Sequence, residues 1–194
     1  MKTRWCGIVA LALVGGCAGS DREPARREAT PAGQAATPRA PQTTITTAGW
    51  TVSPTGIGSV RTEMTLAQAG RQLGADLVLP AFAGRCAFVQ PVAKLDSVAF
   101  MVVDGRIARF DVTGGRMATA EGARIGDSED RINTLYAGRV EVQPHKYTAG
   151  HYLVVRPTTR ADDAYRIIFE TDGSRVTSYR AGRRPEVEWV EGCS

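Results

Sequence analysis

The chain has 194 residues, of which 43% are hydrophobic and 23% charged, and its net charge at pH 7 is +4. These values are ordinary for a globular protein and leave room for one domain and a tail. Residues 50–194 hold eighteen Lys or Arg against seventeen Asp or Glu, so most of the positive surplus lies in residues 1–49. A nucleic-acid-binding domain needs a concentrated basic patch, so we expect no nucleic-acid partner.

The first sixteen residues have the layout of a secretory signal peptide. Lys2 and Arg4 precede an apolar stretch from Gly7 to Val14, and small residues follow. This stretch is too short to span a bilayer, which takes ~20 apolar residues. We therefore expect residues 1–16 to be removed during export.

Residues 14–17, Val-Gly-Gly-Cys, resemble the lipobox of bacterial lipoproteins, in which small residues precede a cysteine that receives diacylglycerol. The resemblance implies a membrane anchor through lipid on Cys17. Ordinary signal cleavage at a small residue such as Ala18 is the alternative. Ala18 also differs from the aspartate that retains lipoproteins at the inner membrane. In a Gram-negative host, the resemblance therefore implies the outer membrane, facing the periplasm.

Residues 17–48 are predicted to be a lipidated cysteine followed by a disordered linker. Residues 18–48 contain four prolines, and Ile45 is their one large apolar residue. Such a segment cannot bury enough apolar surface to offset the entropy lost on ordering. A flexible linker of this length reaches roughly 30 Å, which holds a domain near a membrane without laying it on the surface.

Cysteine parity predicts one disulfide. Cys6 leaves with the signal peptide, and Cys17 is taken by the lipid. Cys86 and Cys193 remain, and an exported chain would pair them.

Residues 49–194 are predicted to form one α+β domain made of two tandem repeats, about 55–118 and 119–194. Similar segments recur in the same order at offsets of 63, 66 and 68 residues. Each repeat is predicted to be a short helix packed on antiparallel strands, the last of which is expected at residues 186–190.

The first helix is predicted to begin at Thr65, where Gln68 completes a capping box, and to end at Gly74. The second helix is predicted to begin near Asp127-Ser128. The expected apolar faces consist of Leu66, Ala69 and Leu73 in the first helix, and Ile132, Leu135 and Tyr136 in the second.

Two Asp-Gly pairs, Asp104-Gly105 and Asp172-Gly173, are predicted to be two-residue hairpin turns. A two-residue turn at the second pair places Phe169 opposite Val176 on a buried face. The solvent-exposed face would then carry a tentative partner-binding patch made of Arg166, Glu170, Arg175 and Tyr179. The alternative is that these side chains only cover the sheet, and a one-residue slip in register would bury Tyr179.

The helix starts resemble a pattern from small bacterial envelope proteins, namely Gly-Met-Thr, a short helix, and then Leu-Gly. The first copy keeps Met64-Thr65 and Leu73-Gly74, and the second keeps Gly126 and Ser128. The pattern occurs in BamE/SmpA-like lipoproteins of the outer-membrane assembly machinery and, in tandem, in β-lactamase-inhibitor proteins. The resemblance implies helix-plus-sheet repeats in a cell-envelope protein of uncharacterised function.

No residue pattern predicts a catalytic site, a metal site or a cofactor. A zinc site needs three or four ligands at workable spacing, and His145 and His151 are more simply turn residues. Asp162-Asp163 is expected to lie in a solvated loop. The function that we expect is therefore non-enzymatic: a membrane-anchored envelope module that binds another protein, as an assembly factor or inhibitor would. The alternative is an envelope hydrolase or sugar-binding protein.

Replacing the lipobox cysteine tests the anchor. We expect Cys17→Ala to accumulate as an unprocessed precursor, because the thiol that receives the lipid is gone, while the wild-type protein enters the detergent phase. Detergent partitioning and the mass of the N-terminal peptide measure both properties. Cys6→Ala is the matched control and should behave as wild type. A mature wild-type protein that is wholly soluble, with a free N-terminus, would contradict the prediction.

Overall fold

A computed structural model describes residues 48–81, 84–91, 95 and 97–194. The predicted signal peptide, Cys17 and residues 17–47 of the predicted linker lie outside these residues. Among the helices described, none is long and apolar enough to cross a bilayer.

The described residues form a mostly β structure with two helices, which agrees with the predicted α+β class. The helices are α1 (Leu66–Leu73) and α2 (Glu129–Leu135). The four-stranded sheet has the order β3-β2-β1-β7, with strands Thr51–Ser53 (β1), Gly56–Ile57 (β2), Val60–Arg61 (β3) and Ala118–Thr119 (β7). The seven-stranded sheet has the order β4-β5-β6-β11-β10-β9-β8, with strands Cys86–Val89 (β4), Val98–Val103 (β5), Arg106–Val112 (β6), Val140–Pro144 (β8), His151–Val155 (β9), Tyr165–Thr171 (β10) and Val176–Arg183 (β11).

Helix α1 begins and ends as its sequence predicts. The Thr65 side chain accepts a hydrogen bond from the backbone N–H of Gln68, whose side chain accepts one from the backbone N–H of Thr65. Gly74 ends the helix with φ of 62°, a left-handed conformation that costs glycine little. Ala69 and Leu73 are buried, so the predicted apolar face is confirmed.

Helix α2 also begins where predicted. The Ser128 side chain accepts a hydrogen bond from the N–H of Arg131, and Glu129 and Asp130 lie at the positive end of the helix dipole. Ile132 and Tyr136 have no exposed surface. The hydroxyl cap and the apolar spacing were sufficient to locate this helix.

All seven strands of the large sheet pair antiparallel, and the main hydrophobic core lies on one of its faces. We call this the helix face, because side chains from both helices and the small sheet belong to the same buried cluster. Its largest buried aromatic side chains are Phe100, Phe110, Phe169 and Tyr179. Phe100 and Phe110 pack edge to face, with ring centroids 5.2 Å apart.

The two Asp-Gly hairpins differ. Val103 pairs with Arg106, so the first turn has two residues, as predicted. In the second hairpin Thr171 pairs with Val176, so four residues form the turn and that prediction is wrong. The Asp172 carboxylate accepts hydrogen bonds from the N–H groups of the two residues before Val176, each at 2.8 Å, and these bonds close the wider turn.

The wider turn and a β-bulge at Glu170/Thr171 shift the pairing of the two strands by three residues. Phe169 pairs with Tyr179 rather than with Val176. Successive side chains of a strand point to opposite faces, so the odd shift moves the side chains of β11 from Ser178 onward, beyond the bulge, to the other face. Tyr179 is buried in the main core as a result, whereas Val176, before the bulge, keeps its predicted buried position.

The two helix starts are tied to the two hairpins by matching contacts. The Arg106 guanidinium donates to the carbonyl of Glu63, and the Arg175 guanidinium donates to the carbonyl of Gly126, each at 2.8 Å. Glu63 and Gly126 both have positive φ, 67° and 88°. Each helix is therefore preceded, two residues before its N-cap, by a residue with a left-handed backbone. The carbonyl of that residue accepts a hydrogen bond from an arginine of the following hairpin.

The C-terminal segment, residues 184–194, contacts the face of the large sheet opposite the helices. We call this face the tail face. The predicted strand at 186–190 is wrong, because Glu186–Glu188 forms a short 3-10 helix. Val187 is fully buried against three side chains of β9 and β10, and Cys193 forms a disulfide with Cys86 of β4. The segment thus reaches from the middle of the sheet to one edge.

Removing the disulfide should destabilise the domain. It joins residues 107 apart in sequence, and a loop of this length corresponds to about 4–5 kcal/mol in the chain-entropy model. We expect a loss of this order in the free energy of unfolding for Cys86→Ser with Cys193→Ser, measured by urea titration. Reducing the wild-type protein should reproduce the loss, and the double variant should not respond to reductant. Equal unfolding free energies in all four samples would show that the bond does not constrain the chain.

Candidate functional site

The sequence predicts an exposed patch made of Arg166, Glu170, Arg175 and Tyr179, and the structure does not contain such a patch. Tyr179 lies on the helix face and is 1% exposed, and its hydroxyl donates a hydrogen bond to the carbonyl of Met117 at 2.9 Å. Burial raises the pKa of this hydroxyl. Arg166 is 7% exposed and lies on the tail face, which it shares with Ile168 and Glu170 because they are two and four residues further along β10. Arg166 and Glu170 therefore keep a common face, whereas Tyr179 lies on the other face and Arg175 lies in the hairpin turn.

The tail face carries a buried arginine at its centre. Arg109 of β6 is 4% exposed and forms a two-pronged ion pair with Asp111, at 2.8 and 2.9 Å. Its remaining nitrogen, Nη1, donates to the backbone carbonyls of Glu186 and Trp189, at 3.0 and 2.7 Å. One guanidinium therefore fixes both ends of the 3-10 turn in the C-terminal segment.

A second buried arginine lies beside it. The Nε of Arg180 donates to the carbonyl of Val187 at 2.7 Å, and its Nη1 donates to the carboxylate of Glu170. Burial lowers the pKa of Arg180, Glu170 opposes this effect, and the neighbouring Arg109 adds to it. The Glu170 carboxylate therefore acts as the counter-ion that makes this buried charge tolerable.

A pocket of about 390 Å³ lies between the tail face and the C-terminal segment. This volume is within the usual range for small-molecule sites. Its lining includes the apolar side chains of Val154, Ile168 and Val190. It also includes Tyr152, Arg180 and Glu188. Gln143 and Pro144 of the edge strand β8 complete the lining.

The hydroxyl of Tyr152 is an unusual feature of this pocket. Tyr152 is 6% exposed, and its hydroxyl is buried without a hydrogen-bond partner among the described residues. A buried polar group left unpaired costs about 1–3 kcal/mol. The ring itself is held firmly, because His145 stacks on it at 4.4 Å and the Arg180 guanidinium lies 5.5 Å from its centroid. The hydroxyl is therefore held in a fixed position and has almost no accessible surface of its own.

The second histidine belongs to a separate polar cluster. His151 Nδ1 lies 2.9 Å from the Glu129 carboxylate, and the Thr171 hydroxyl donates to the same carboxylate oxygen. Burial raises the pKa of Glu129, but the hydrogen bonds from Thr171 and His151 outweigh it and hold this pKa below its ordinary value. A nucleophilic relay needs the hydroxyl bonded to the histidine, whereas here it bonds to the acid. These contacts fasten the start of α2 to β9 and β10.

Among the described residues, no group of three or more His, Cys, Asp or Glu side chains is placed to hold a metal ion.

Strand β8 forms one edge of the large sheet, and half of its backbone groups point away from β9. The N–H of Arg156 donates to the carbonyl of Arg139. In an antiparallel pair every second residue bonds to the neighbouring strand, so Glu141 and Gln143 also direct their backbone groups toward β9. The alternate residues Val140 and Val142 therefore direct their N–H and C=O groups outward. Val142 also has a 52% exposed side chain.

The same edge carries partial protection against uncontrolled pairing. Pro144 has no N–H to offer, and the Glu141 carboxylate forms an exposed ion pair with Arg156. Proline and charge on an edge strand are common means of limiting aggregation. Beyond the strand, Tyr147 in the following turn is 60% exposed. The edge thus offers a short pairing surface between an exposed valine and an exposed tyrosine.

Comparisons with protein-family models, with curated protein sequences and with solved structures find no match to this chain. What the protein does therefore has to be inferred from its own residues.

Sequence reasoning missed the buried arginines, the Tyr152 hydroxyl and the β8 edge. One signal was present: Arg109 and Asp111 have opposite charge and are two residues apart, so they share a face of a strand. That spacing marks a pair, but it does not reveal that residues 184–194 cover it. Tyr152 and the C-terminal segment meet only through the tertiary fold.

Removing the central arginine should release the C-terminal segment. We expect Arg109→Met to lower the free energy of unfolding by roughly 3–5 kcal/mol, because it leaves Asp111 and two carbonyl groups without a partner. Arg85→Met is the matched control, since it breaks another two-pronged Arg–Asp pair, with Asp104, whose side chains are 85% and 53% exposed. It should have no measurable effect on urea unfolding. Equal losses in the two variants would contradict the assignment of Arg109.

Proposed function

We propose that this protein is a lipid-anchored lipoprotein of the bacterial cell envelope whose α+β domain binds an extended segment of another protein. The lipobox-like residues 14–17 support the anchor on Cys17, and the proline-containing linker supports a domain held at a distance from the membrane. Ala18 favours the outer membrane, with the domain facing the periplasm. In this proposal the protein works by binding and not by catalysis.

The observation that carries the binding proposal is the β8 edge. The outward N–H and C=O groups of Val140 and Val142 match the hydrogen-bonding pattern of an added strand. The exposed Val142 side chain would give such a strand an apolar contact, and Tyr147 would give it an aromatic contact at one end. Main-chain pairing supplies affinity in this mode, and the exposed side chains supply selectivity.

Pro144 limits how a second copy of the chain could pair with this edge. In a symmetric antiparallel pair centred on Val142, Pro144 of each copy would lie opposite Val140 of the other, and both Val140 carbonyl groups would remain unpaired because proline has no N–H. A symmetric pair centred on Glu141 avoids this loss, but it uses only the outward groups of Val140 and Val142. A partner segment can pair along the whole edge in a register of its own, so we propose a heterologous occupant.

We also propose that the domain is built from two tandem repeats, about 55–118 and 119–194. The matching contacts of Arg106 with Glu63 and of Arg175 with Gly126 support this, because they recur at both helix starts. The resemblance of the helix starts to BamE/SmpA-like and β-lactamase-inhibitor proteins points the same way. A repeat of that kind is a scaffold for binding surfaces, and the function still resides in the site.

The edge can be tested with a photo-cross-linking residue at Tyr147, in cells of the native host, combined with changes at Val142. Val142→Pro removes an outward N–H without taking a hydrogen bond from β9, so the sheet should persist. We expect the cross-linked adduct to fall several-fold in Val142→Pro. Val142→Thr keeps the backbone donor and the branched side chain, so it is the matched control and should retain the adduct.

Three outcomes would overturn the proposal. The first is no adduct from position 147, and the second is an adduct whose yield is the same in the proline and threonine variants. The third is an adduct with the mass of two copies of this chain, which would make the edge a self-association site. Oxidised Cys86–Cys193 and an unchanged far-ultraviolet spectrum should be verified in both variants.

A further inference from the structure

His145 directly follows β8 and begins the turn that connects this strand to β9. Its side chain is 11% exposed, and its ring stacks on that of Tyr152 with the centroids 4.4 Å apart. The stacking fixes the plane of the imidazole. Each of its two nitrogens therefore has definite neighbours.

One nitrogen of the ring accepts two hydrogen bonds from the turn. The backbone N–H groups of Tyr147 and Thr148 lie 3.1 and 3.2 Å from Nδ1 of His145, and both donate to it. A backbone N–H can only donate, so Nδ1 offers a lone pair and carries no proton. The turn is therefore built on the neutral imidazole with its proton on Nε2.

The charged groups around the ring come from three other parts of the chain. The Glu170 carboxylate of β10 has an oxygen 3.7 Å from Nε2 of His145, and it also accepts a hydrogen bond from Arg180 of β11. Within the turn, Lys146 forms an ion pair with Glu191 of the C-terminal segment at 2.7 Å. Glutamate, arginine and lysine ordinarily keep their charge between about pH 5 and pH 8, whereas histidine changes its charge there. Histidine is thus the residue type in this cluster that can respond to mild acid.

We infer that His145 is a pH switch for the turn at residues 145–150, and that its protonation opens the turn and weakens binding at the β8 edge. The statement about binding rests on the proposed function. A proton taken up from solvent binds Nδ1, because Nε2 already carries one. The acceptor then becomes a donor that faces the N–H groups of Tyr147 and Thr148, and both hydrogen bonds are lost.

The rearrangement is confined to the tip of the turn. The backbone N–H of His145 donates to the carbonyl of Gly150 at 3.0 Å, and Pro144 pairs with His151 at the end of β8 and β9. Neither contact uses the imidazole of His145, so the two strands stay paired. Tyr147, the aromatic contact of the proposed interface, lies in the part that is released.

NMR spectroscopy tests the turn, using the isotope-labelled protein as isolated from its host, with the Cys86–Cys193 disulfide formed. The pH is lowered from about 8 to about 5, the range in which histidine ordinarily titrates. We expect the ring signals of His145 and the amide signals of Tyr147 and Thr148 to change together, with one common midpoint. The temperature dependence of both amide shifts should increase with the same midpoint, as it does for amides that lose their acceptor.

Two variants separate the acceptor from the ring. His145→Asn keeps an acceptor for N–H groups a few residues on and cannot take up a proton, so the amides of Tyr147 and Thr148 should stay bonded at every pH. His145→Phe keeps a ring that can stack on Tyr152 but has no acceptor. In that variant both amides should be free at every pH.

Cross-linking from position 147 tests the consequence for binding. Membranes of the native host are irradiated at about pH 8 and about pH 5, at the two ends of the histidine range. We expect the adduct to fall several-fold at the lower pH when His145 is present, and to form equally at both pH values in His145→Asn. Absence of the adduct at both pH values would contradict the proposed function, whereas the NMR titration decides on the turn by itself.

Three results would overturn the inference. The first is a His145 ring that stays neutral over the whole range, and the second is a ring that titrates while the amides of Tyr147 and Thr148 keep their signals. The third is an adduct that responds to acid in His145→Asn as strongly as it does with His145 present.

An adduct of equal yield at both pH values in the presence of His145 would separate the turn from the binding edge. It would overturn the statement about binding.

Discussion

The arrangement of the domain depends on the hydrogen bonds that two buried guanidinium groups donate to the C-terminal segment. Arg109 and Arg180 lie on the tail face and bond the carbonyl groups of residues 186, 187 and 189. Covering these two charges removes them from water, which is costly unless counter-ions and hydrogen-bond acceptors replace the water. Asp111 and Glu170 provide the counter-ions, and the segment provides the cover. The disulfide at Cys193 then holds the far end of that cover on β4.

The two faces of the large sheet are therefore stabilised by different kinds of interaction. The helix face is apolar, and its aromatic rings pack as a conventional core against α1 and α2. The tail face relies on directional bonds, which require particular atoms in particular places. Apolar packing tolerates small rearrangements, whereas a polar layer leaves gaps where geometry cannot satisfy every group. The Tyr152 hydroxyl is one such unsatisfied group, since it is buried without a partner among the described residues.

The position of β8 follows from the same topology. The sheet is open, so it has two edges, and the C-terminal segment is fastened to the β4 edge by the disulfide. The β8 edge keeps outward backbone groups, limited by Pro144 and by the charge of Glu141. An edge that is short and guarded in this way can accept one strand without promoting unlimited association. In the proposed function, in which a long linker tethers the protein at a membrane, such an edge would capture an extended partner.

The sequence by itself determined the local features of this protein. Thr65, Gln68 and Ser128 located both helix starts, the Asp104-Gly105 pair gave the first hairpin turn, and cysteine parity paired Cys86 with Cys193. These features depend on neighbouring residues or on a simple count, so no long-range packing is needed to derive them. The lipobox of Cys17 is likewise a local pattern, and it stays a prediction because it lies outside the described residues.

Only the tertiary structure decided the register of the second hairpin and therefore which side chains face the core. Four turn residues and a bulge at Glu170/Thr171 shifted the pairing by an odd number, and Tyr179 moved from a predicted surface into the core. A turn of two or four residues has similar local chemistry, so the sequence cannot choose between them. The choice is made by burial of Phe169 and Tyr179 together, a contact between strands that exists only once the sheet has formed.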